Sequence, residues 1–230
     1  LKLKMDLHVH TNASEDGVST VYDVIRSAKK KGLDGVAITD HDVPMTEERA
    51  AKMSQDKDFL LIPGVEVSTD AGHLIILNPR RNFPVDSPFL ETIKSALSEG
   101  SILIIPHPTD PLSHGVGEEA VRSTLSFSLP LEVMNASTHR RYNKSAGKLA
   151  KLLALPVVGG SDAHIETAVG DAYTIVETKT CSVEAILEGI KNGKTSAYGT
   201  ETPIVNMLEM TWKRLSKRTK LKKAPDEVQS

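Results

Sequence analysis

The apolar residues of this chain fall into short runs separated by longer amphipathic stretches, and the two patterns alternate along most of its length. Residues 3–10, LKMDLHVH, alternate apolar and polar side chains, the period of a strand. In residues 20–32, TVYDVIRSAKKKG, the side chains of Val21, Val24, Ile25 and Ala28 share one helical face. Thr20 and Asp23 have the spacing of a capping box, and Gly32 supplies the stop. GVAIT (35–39), FLLIPGVEVS (59–68), HLIILN (73–78), SILIIPH (101–107), LEVMN (131–135), PVVGGSD (156–162) and AYTIV (172–176) read as further strands, most of them apolar enough for a sheet covered on both faces. Helical character returns at 88–100, 143–154 and 182–193. Strands alternating with helices predict an α/β fold in which roughly seven strands close a parallel sheet into a TIM-barrel-like barrel.

Composition narrows this picture without changing it. A chain of 230 residues fits one α/β barrel domain. Hydrophobic content of 39% and charged content of 25% are ordinary for a globular protein, so neither disorder nor a membrane class is favoured. Aromatic content of 4% argues against a stacking platform for nucleic-acid bases. The single Cys181 cannot form a disulfide within the chain, and no apolar run has the length of a membrane span or a signal segment. A cytoplasmic location is the expectation.

The charge is unevenly placed. Residues 213–223, KRLSKRTKLKK, carry seven basic side chains, which leaves residues 1–212 with 21 basic against 28 acidic groups. The break after the apolar TPIVNMLEM predicts a domain over 1–212 and a basic tail over 213–230. Such tails are commonly solvated; an electrostatic guide for RNA or DNA is the functional alternative.

The polar residues that matter fall at strand ends, where barrels of this type place their active sites. His8 and His10 lie two apart at the end of the first strand, hence on one face. Asp40 and His41 end the second; Glu66 lies in the third, and His73 opens the next. His107 closes IIPH, Asn135 closes LEVMN, and Asp162 and His164 follow in GGSDAH. Each alone has an ordinary reading: hydrogen-bonded histidines for HxH, a helix cap for Asp40, a turn for His107 before proline. Their joint placement predicts a multinuclear metal centre, because Mn²⁺, Zn²⁺ and Fe²⁺ all take imidazole and carboxylate ligands and a carboxylate such as Glu66 can bridge two ions.

The order DLHVHTNASEDG, AITDHD, GVEVS, GHLIIL, PHP and GGSDAH resembles the PHP family, the polymerase and histidinol phosphatase domains, over about residues 4–200. The resemblance implies a distorted seven-stranded barrel holding two or three divalent ions (Mn, Zn or Fe), with phosphoester hydrolysis as its chemistry. It implies that His8, His10, Glu66 and Asp162 hold one ion, that Glu66 bridges to a second held by His73 and His107, and that Asp16, His41 and His164 hold a third. The short interval between Glu66 and His73 is similar to that of the small nucleotide-phosphatase-like members.

Paired ions would generate a bridging hydroxide for in-line attack on phosphorus, which makes Glu66 and His41 candidate catalytic residues. Asp40, beside His41, is expected to orient it or accept a proton. For the substrate phosphate, NASTHRRYNKS (135–145) offers Asn135, His139, Arg140, Arg141 and Lys144 just after a strand end. His114, in HPTDPLSHGVG, reads as a surface or lid histidine. The expected partner is a small phosphorylated substrate, most simply a nucleotide or related phosphomonoester, and no membrane partner is expected. A 5′-to-3′ exonuclease or phosphodiesterase on short nucleic acid, and a non-catalytic PHP module, stand as alternatives; oligomeric state is open.

Overall fold

Strand β1 (Lys2–Val9) lies parallel to β2 (Gly35–Ile38), and β2 to β3 (Leu60–Thr69). Helices α1 (Val21–Lys30) and α2 (Glu47–Met53) form the crossovers that parallel pairing requires. The computed structural model describes residues 1–54, 59–206, 208, 209, 211 and 212, so the basic tail lies outside the described residues. The capping box predicted for α1 forms: Asp23 N donates to Thr20 Oγ1 at 3.2 Å and Thr20 N to Asp23 Oδ2 at 3.2 Å.

Only two residues, Asp70 and Ala71, link β3 to β4 (Gly72–Leu77), too few for a crossover, so β4 runs antiparallel. This reversal carries His73, at the start of β4, to the same end of the sheet as the carboxyl ends of β1, β2 and β3. Helix α3 (Phe89–Ser98) precedes β5 (Ile102–Ile104), which is again antiparallel to β4. After α4 (Gly117–Ser123), the parallel pair β6 (Leu131–Asn135) and β7 (Val157–Gly160) brackets α5 (Arg140–Leu153).

This pair closes the ring. On one side Ile105 N donates to Pro130 O at 3.0 Å and Glu132 N to Ile105 O at 3.0 Å; on the other Asp162 N donates to His8 O at 2.8 Å and His10 N to Ala163 O at 2.9 Å. The order β1 to β7 is therefore the expected distorted (β/α)7 barrel, with β4 as its one reversed strand. AYTIV is not part of that ring. It forms β8 (Ala172–Glu177), which lies antiparallel along Lys2–Met5 of β1, and after α6 (Val183–Lys191) a ninth strand, β9 (Thr195–Gly199), which the sequence pattern did not show, pairs with β8.

Met5, Leu7, Ala37, Ile62, Ile75, Ile104 and Val158 fill one core cluster together with Ile186 and Ile190 of α6. A second cluster packs Val24 and Ala28 of α1 on Val36 and Ile38, and a third packs Ile93 of α3 on Leu103. Val9 has the same strand parity as Leu3, Met5 and Leu7 but packs with the α1 cluster, not with theirs. The β1–β2 register shifts between Asp6 and Val9, and this irregularity exchanges the faces of β1, so that His8 and His10 point inward above the apolar plug.

Candidate metal centre

One carboxylate organises the end of the barrel. Glu66 Oε2 lies 3.2 Å from His8 Nε2, 3.2 Å from His10 Nε2 and 3.2 Å from His41 Nδ1, while Oε1 lies 3.1 Å from His73 Nδ1 and 3.1 Å from His107 Nε2. Five imidazoles are thus divided between its two oxygens. Asp162 Oδ1 adds contacts to His10 Nε2 at 3.2 Å and His8 Nε2 at 3.5 Å. Asp16 Oδ2 lies 2.8 Å from His164 Nε2 and 3.6 Å from His41 Nε2. His8, His10, Glu66 and His107 are buried, whereas His41, His73, His164 and Asp16 are partly exposed toward the opening.

The backbone delivers these side chains in particular ways. β2 and β3 continue their pairing past the end of β2, with Glu66 N donating to Asp40 O at 3.2 Å and Asp42 N to Glu66 O at 2.9 Å, which sets His41 beside Glu66. His107 and Asp162 both take left-handed backbone angles, φ 29° and 52°. Non-glycine residues in that region are uncommon and persist where surrounding bonds hold them. Here those bonds are His107 N to Glu132 Oε2 at 3.0 Å and Asp162 N to His8 O at 2.8 Å.

The donor set fits a divalent cation. Nε2 of His8 and of His10 are 3.1 Å apart, both within reach of the same two carboxylates. Ligands bound at about 2.0 Å to a tetrahedral ion are separated by about 3.3 Å along each edge, matching these spacings. Three sets converge closely enough for single ions: His8, His10 and Glu66; His41, Glu66 and His73; His10, Asp16, His41 and His164. A further set joins His107 to His8 and Asp162, so His8 and Glu66 are each shared between groups.

Without ions the cluster is a mesh of opposite charges. Burial by itself would depress the imidazolium of His8, but Asp162, Glu66 and Glu132 outweigh it and raise its pKa well above the usual value. His10, likewise buried, is pushed up to about 9 by hydrogen bonds to Asp162 and Glu66, and His107 is raised in the same way by Glu66. Burial opposes ionisation of Glu66, Asp162 and Asp16, yet the surrounding histidines hold all three below the carboxylate range. His41 goes the other way, down to about 4, because burial dominates and His10 and His73 repel its charge despite Glu66. Because an imidazole ligates through a deprotonated nitrogen, cation binding competes with protons at these rings.

Two acidic groups escaped the sequence reading. Glu132, buried on β6, accepts from His107 N and from Asn135 Nδ2 at 2.8 Å, and its Oε1 lies 3.1 Å from His8 Nδ1. It orients the His8 ring through the nitrogen turned away from the cluster. Asp6 is buried beneath, accepting from Ser161 N at 2.9 Å, Ser161 Oγ at 2.6 Å and Gly170 N at 2.8 Å; burial pushes its carboxyl up to about 6. The available signal was a charged residue inside an apolar strand, LEV or MDL, which has no reason to be buried unless it is paired.

Other expected residues sit differently. Asp40 does not touch His41: its carboxylate accepts from Thr11 N at 2.5 Å, Thr11 Oγ1 at 2.7 Å and Ser14 Oγ at 3.1 Å, and so holds the turn after β1. Asn135 is fully buried, donating to Glu132 and to Asp162 Oδ2 at 3.3 Å while Oδ1 accepts from Ser137 N and Thr138 N. Its amide is consumed in positioning, not presented to a ligand. His139 caps α5, accepting from Arg141 N, which extends that helix forward to Arg140 instead of starting near residue 143. Arg140 and Lys144 line a different depression with Glu201, and the Arg141 guanidinium stacks on Tyr142 with 4.4 Å to the ring centroid.

Above this cluster opens a cavity of about 320 Å³. His41, His73, His107, His164 and Asp16 form its floor; Ser113, Ser137, Thr202 and Asn206 give it neutral polar walls, and Leu112, Ile165 and Ala168 apolar ones. His114 stands on its rim, its ring 5.1 Å from that of His73, and its carbonyl accepts from His73 N at 3.0 Å. No lysine or arginine lines it among the described residues.

Known proteins resemble this chain over both its sequence and its fold. Residues 140–195 match the family model described as PHP-associated. An uncharacterized protein of Methanocaldococcus jannaschii is 31% identical over 147 residues, covering 58% of this chain and 82% of that one. A Shewanella piezotolerans protein named a probable phosphatase is 26% identical over 226 residues, covering 81% and 90%. A two-domain Bacteroides vulgatus protein containing a predicted PHP-like metal-dependent phosphoesterase superposes with a TM-score of 0.70 at 22% identity, over 93% of this chain and 70% of that one.

Proposed function

The chain belongs to the PHP family, and from that premise we propose that it is a metal-dependent phosphoesterase whose substrates are small phosphomonoesters, nucleotides among them. One observation carries the reading: a single buried carboxylate, Glu66, addresses five histidines through its two oxygens, the arrangement of a ligand shared between ions. His8, His10, Glu66 and Asp162 would hold one ion, His73 and His107 with Glu66 a second, and Asp16, His41 and His164 a third. When bound, such ions supply Lewis acidity, lowering the pKa of water and neutralising phosphate oxygens.

The chain's own residues supply the remainder. Thr202 Oγ1 and the Asn206 amide are placed to donate hydrogen bonds to phosphate or leaving-group oxygens, the Ser113 and Ser137 hydroxyls already donating to Asp110 and to Asp162 O, while buried Ile165 and Ala168 keep one side of the cavity apolar. Arg140 lines a different depression and Arg141 stacks on Tyr142, so in this reading the charge of the substrate is met by the ions and not by guanidinium groups. A wall of neutral donors also suits a singly charged diester, which makes the choice between monoester and diester the point to measure.

The test is phosphate release after reconstitution with Mn²⁺, Zn²⁺ or Fe²⁺, from mononucleotides, nucleoside bisphosphates, sugar phosphates and 5′-phosphorylated oligonucleotides, with model diesters alongside. Release from small monoesters supports the proposal. Cleavage of oligonucleotides or diesters alone would replace it with the phosphodiesterase reading, and silence from metal-loaded protein would leave a non-catalytic module.

A further inference from the structure

The segment after β9 presents two unlike faces. Residues 204–206, 208, 209, 211 and 212 are helical. Asn206 lines the cavity and its Nδ2 reaches Thr167 O at 3.4 Å; Glu209 accepts from Thr167 Oγ1 at 3.4 Å. These contacts seat one face on the body. The side chains of Ile204, Val205, Leu208 and Trp212 are 75%, 67%, 66% and 67% exposed. At helical pitch the four fall within an arc of about 100°, and Asn206 and Glu209 fall outside it.

Exposed large apolar residues elsewhere, such as Tyr22, Val85 and Leu152, are scattered singly, which is ordinary; four on one stripe are not. The sequence then runs without interruption into KRLSKRTKLKK, seven cations in eleven residues.

We propose that the apolar face formed by Ile204, Val205, Leu208 and Trp212, together with the basic sequence 213–223, docks this protein on the surface of an anionic lipid bilayer. Aliphatic side chains and one tryptophan would enter the boundary between headgroups and acyl chains, and the cations would meet lipid phosphates. Charge complementarity selects this occupant. A nucleic acid would satisfy the cations but leave the Ile204–Val205–Leu208 stripe with nothing to bury against, and a second copy would bring two clusters of seven cations together. None of the described helices is long and apolar enough to cross a membrane, so the contact is peripheral.

Trp212 is the only tryptophan of the chain and therefore reports on the contact. The full chain is mixed with vesicles of phosphatidylcholine, or of equal parts phosphatidylcholine and phosphatidylserine, and followed by sedimentation and tryptophan emission. The expected result is a blue shift and co-sedimentation with the mixed vesicles, at least on the order of 10-fold tighter than with phosphatidylcholine alone, weakening as salt rises. The double variant Ile204→Ser/Leu208→Ser, checked for folding by circular dichroism, should bind on the order of 10-fold more weakly, and the chain ending at residue 212 on the order of 100-fold more weakly.

Unchanged emission with protein left in the supernatant would overturn the proposal, as would equal binding by the double variant. Self-association abolished by the same double variant, or oligonucleotide binding that depends on 213–223, each without vesicle binding, would assign the surface to those partners and equally overturn it.

Discussion

Substitution Glu132→Gln probes the metal centre without removing any residue that faces the cavity. The native carboxylate has two oxygens and three donors to satisfy: His8 Nδ1 at 3.1 Å on Oε1, and His107 N at 3.0 Å with Asn135 Nδ2 at 2.8 Å on Oε2. Glutamine keeps the volume but has one oxygen, so its amide nitrogen must face donors on one side of the chain or the other. The side chain is 2% exposed, and water cannot readily repair the mismatch. One buried donor left unmatched costs about 1–3 kcal/mol of folding stability. If the amide oxygen stays with His107 and Asn135, the His8 ring loses its carboxylate partner, and loss of such a partner costs about 10- to 100-fold in metal affinity.

The two effects separate in the assay. Urea denaturation of metal-free protein reads the first, and competition for Mn²⁺ against a chelator reads the second. A variant with reduced stability but manganese affinity within a factor of two of wild type (roughly 0.4 kcal/mol) would show that Glu132 braces β6 without tuning His8, and would refute the orienting role.

Three further outcomes follow from the same geometry. In metal-free protein, the raised pKa values of His8, His10 and His107 contribute stability that is full below the ordinary 6.5 and lost as pH rises through the folded values, about 9 for His10. The lowered carboxylates of Glu66, Asp162 and Asp16 contribute stability that is full above their ordinary 3.8 to 4.5 and lost in acid. Metal-free Tm should therefore be highest between those ranges and fall toward pH 9, whereas the Tm gain on adding Mn²⁺ should grow over that interval; a metal-free Tm that rises there would contradict the assignment. Gly160→Ala places a Cβ 2.5 Å from His8 Cβ and 2.8 Å from Glu132 Oε1, so it should weaken metal binding on the order of 10-fold or more with every ligand intact, and unaltered binding by chelator competition would contradict this. Arg140→Ala should leave KM within about twofold of wild type, because that side chain lies outside the cavity; a rise in KM on the order of 10-fold would return Arg140 to the substrate.

Residues that read clearly in the sequence were those whose chemistry conflicts with their surroundings. Histidines at the ends of apolar strands have no packing reason to be there, and the structure gathers His8, His10, His41, His73, His107 and His164 around Glu66, Asp16 and Asp162. Asn135, His139 and Arg140 were harder, because polar residues after a strand look alike whether they meet a ligand, cap a helix or hold a neighbour. Glu132 and Asp6 were hidden for the opposite reason: a carboxylate buried for the sake of another side chain leaves only a local charge in a strand, and its partner is 124 residues away in the case of Glu132 and His8.

What the sequence determined by itself was periodic or compositional: α1 and its cap, the strands of the barrel, and the set of histidine and carboxylate side chains that cluster at its end. Tertiary structure decided relations between distant segments. It reversed β4 across a two-residue turn, set β8 and β9 outside the ring, and used the register shift in β1 to turn His8 and His10 inward. It also brought β6 and β7 across the gap, so that Glu132 and Asp162 meet His8. The division has a physical origin: helix caps and strand periods are fixed by neighbours a few residues away, whereas which face of β1 is inward, and which acid finds which imidazole, depends on closure of the whole sheet.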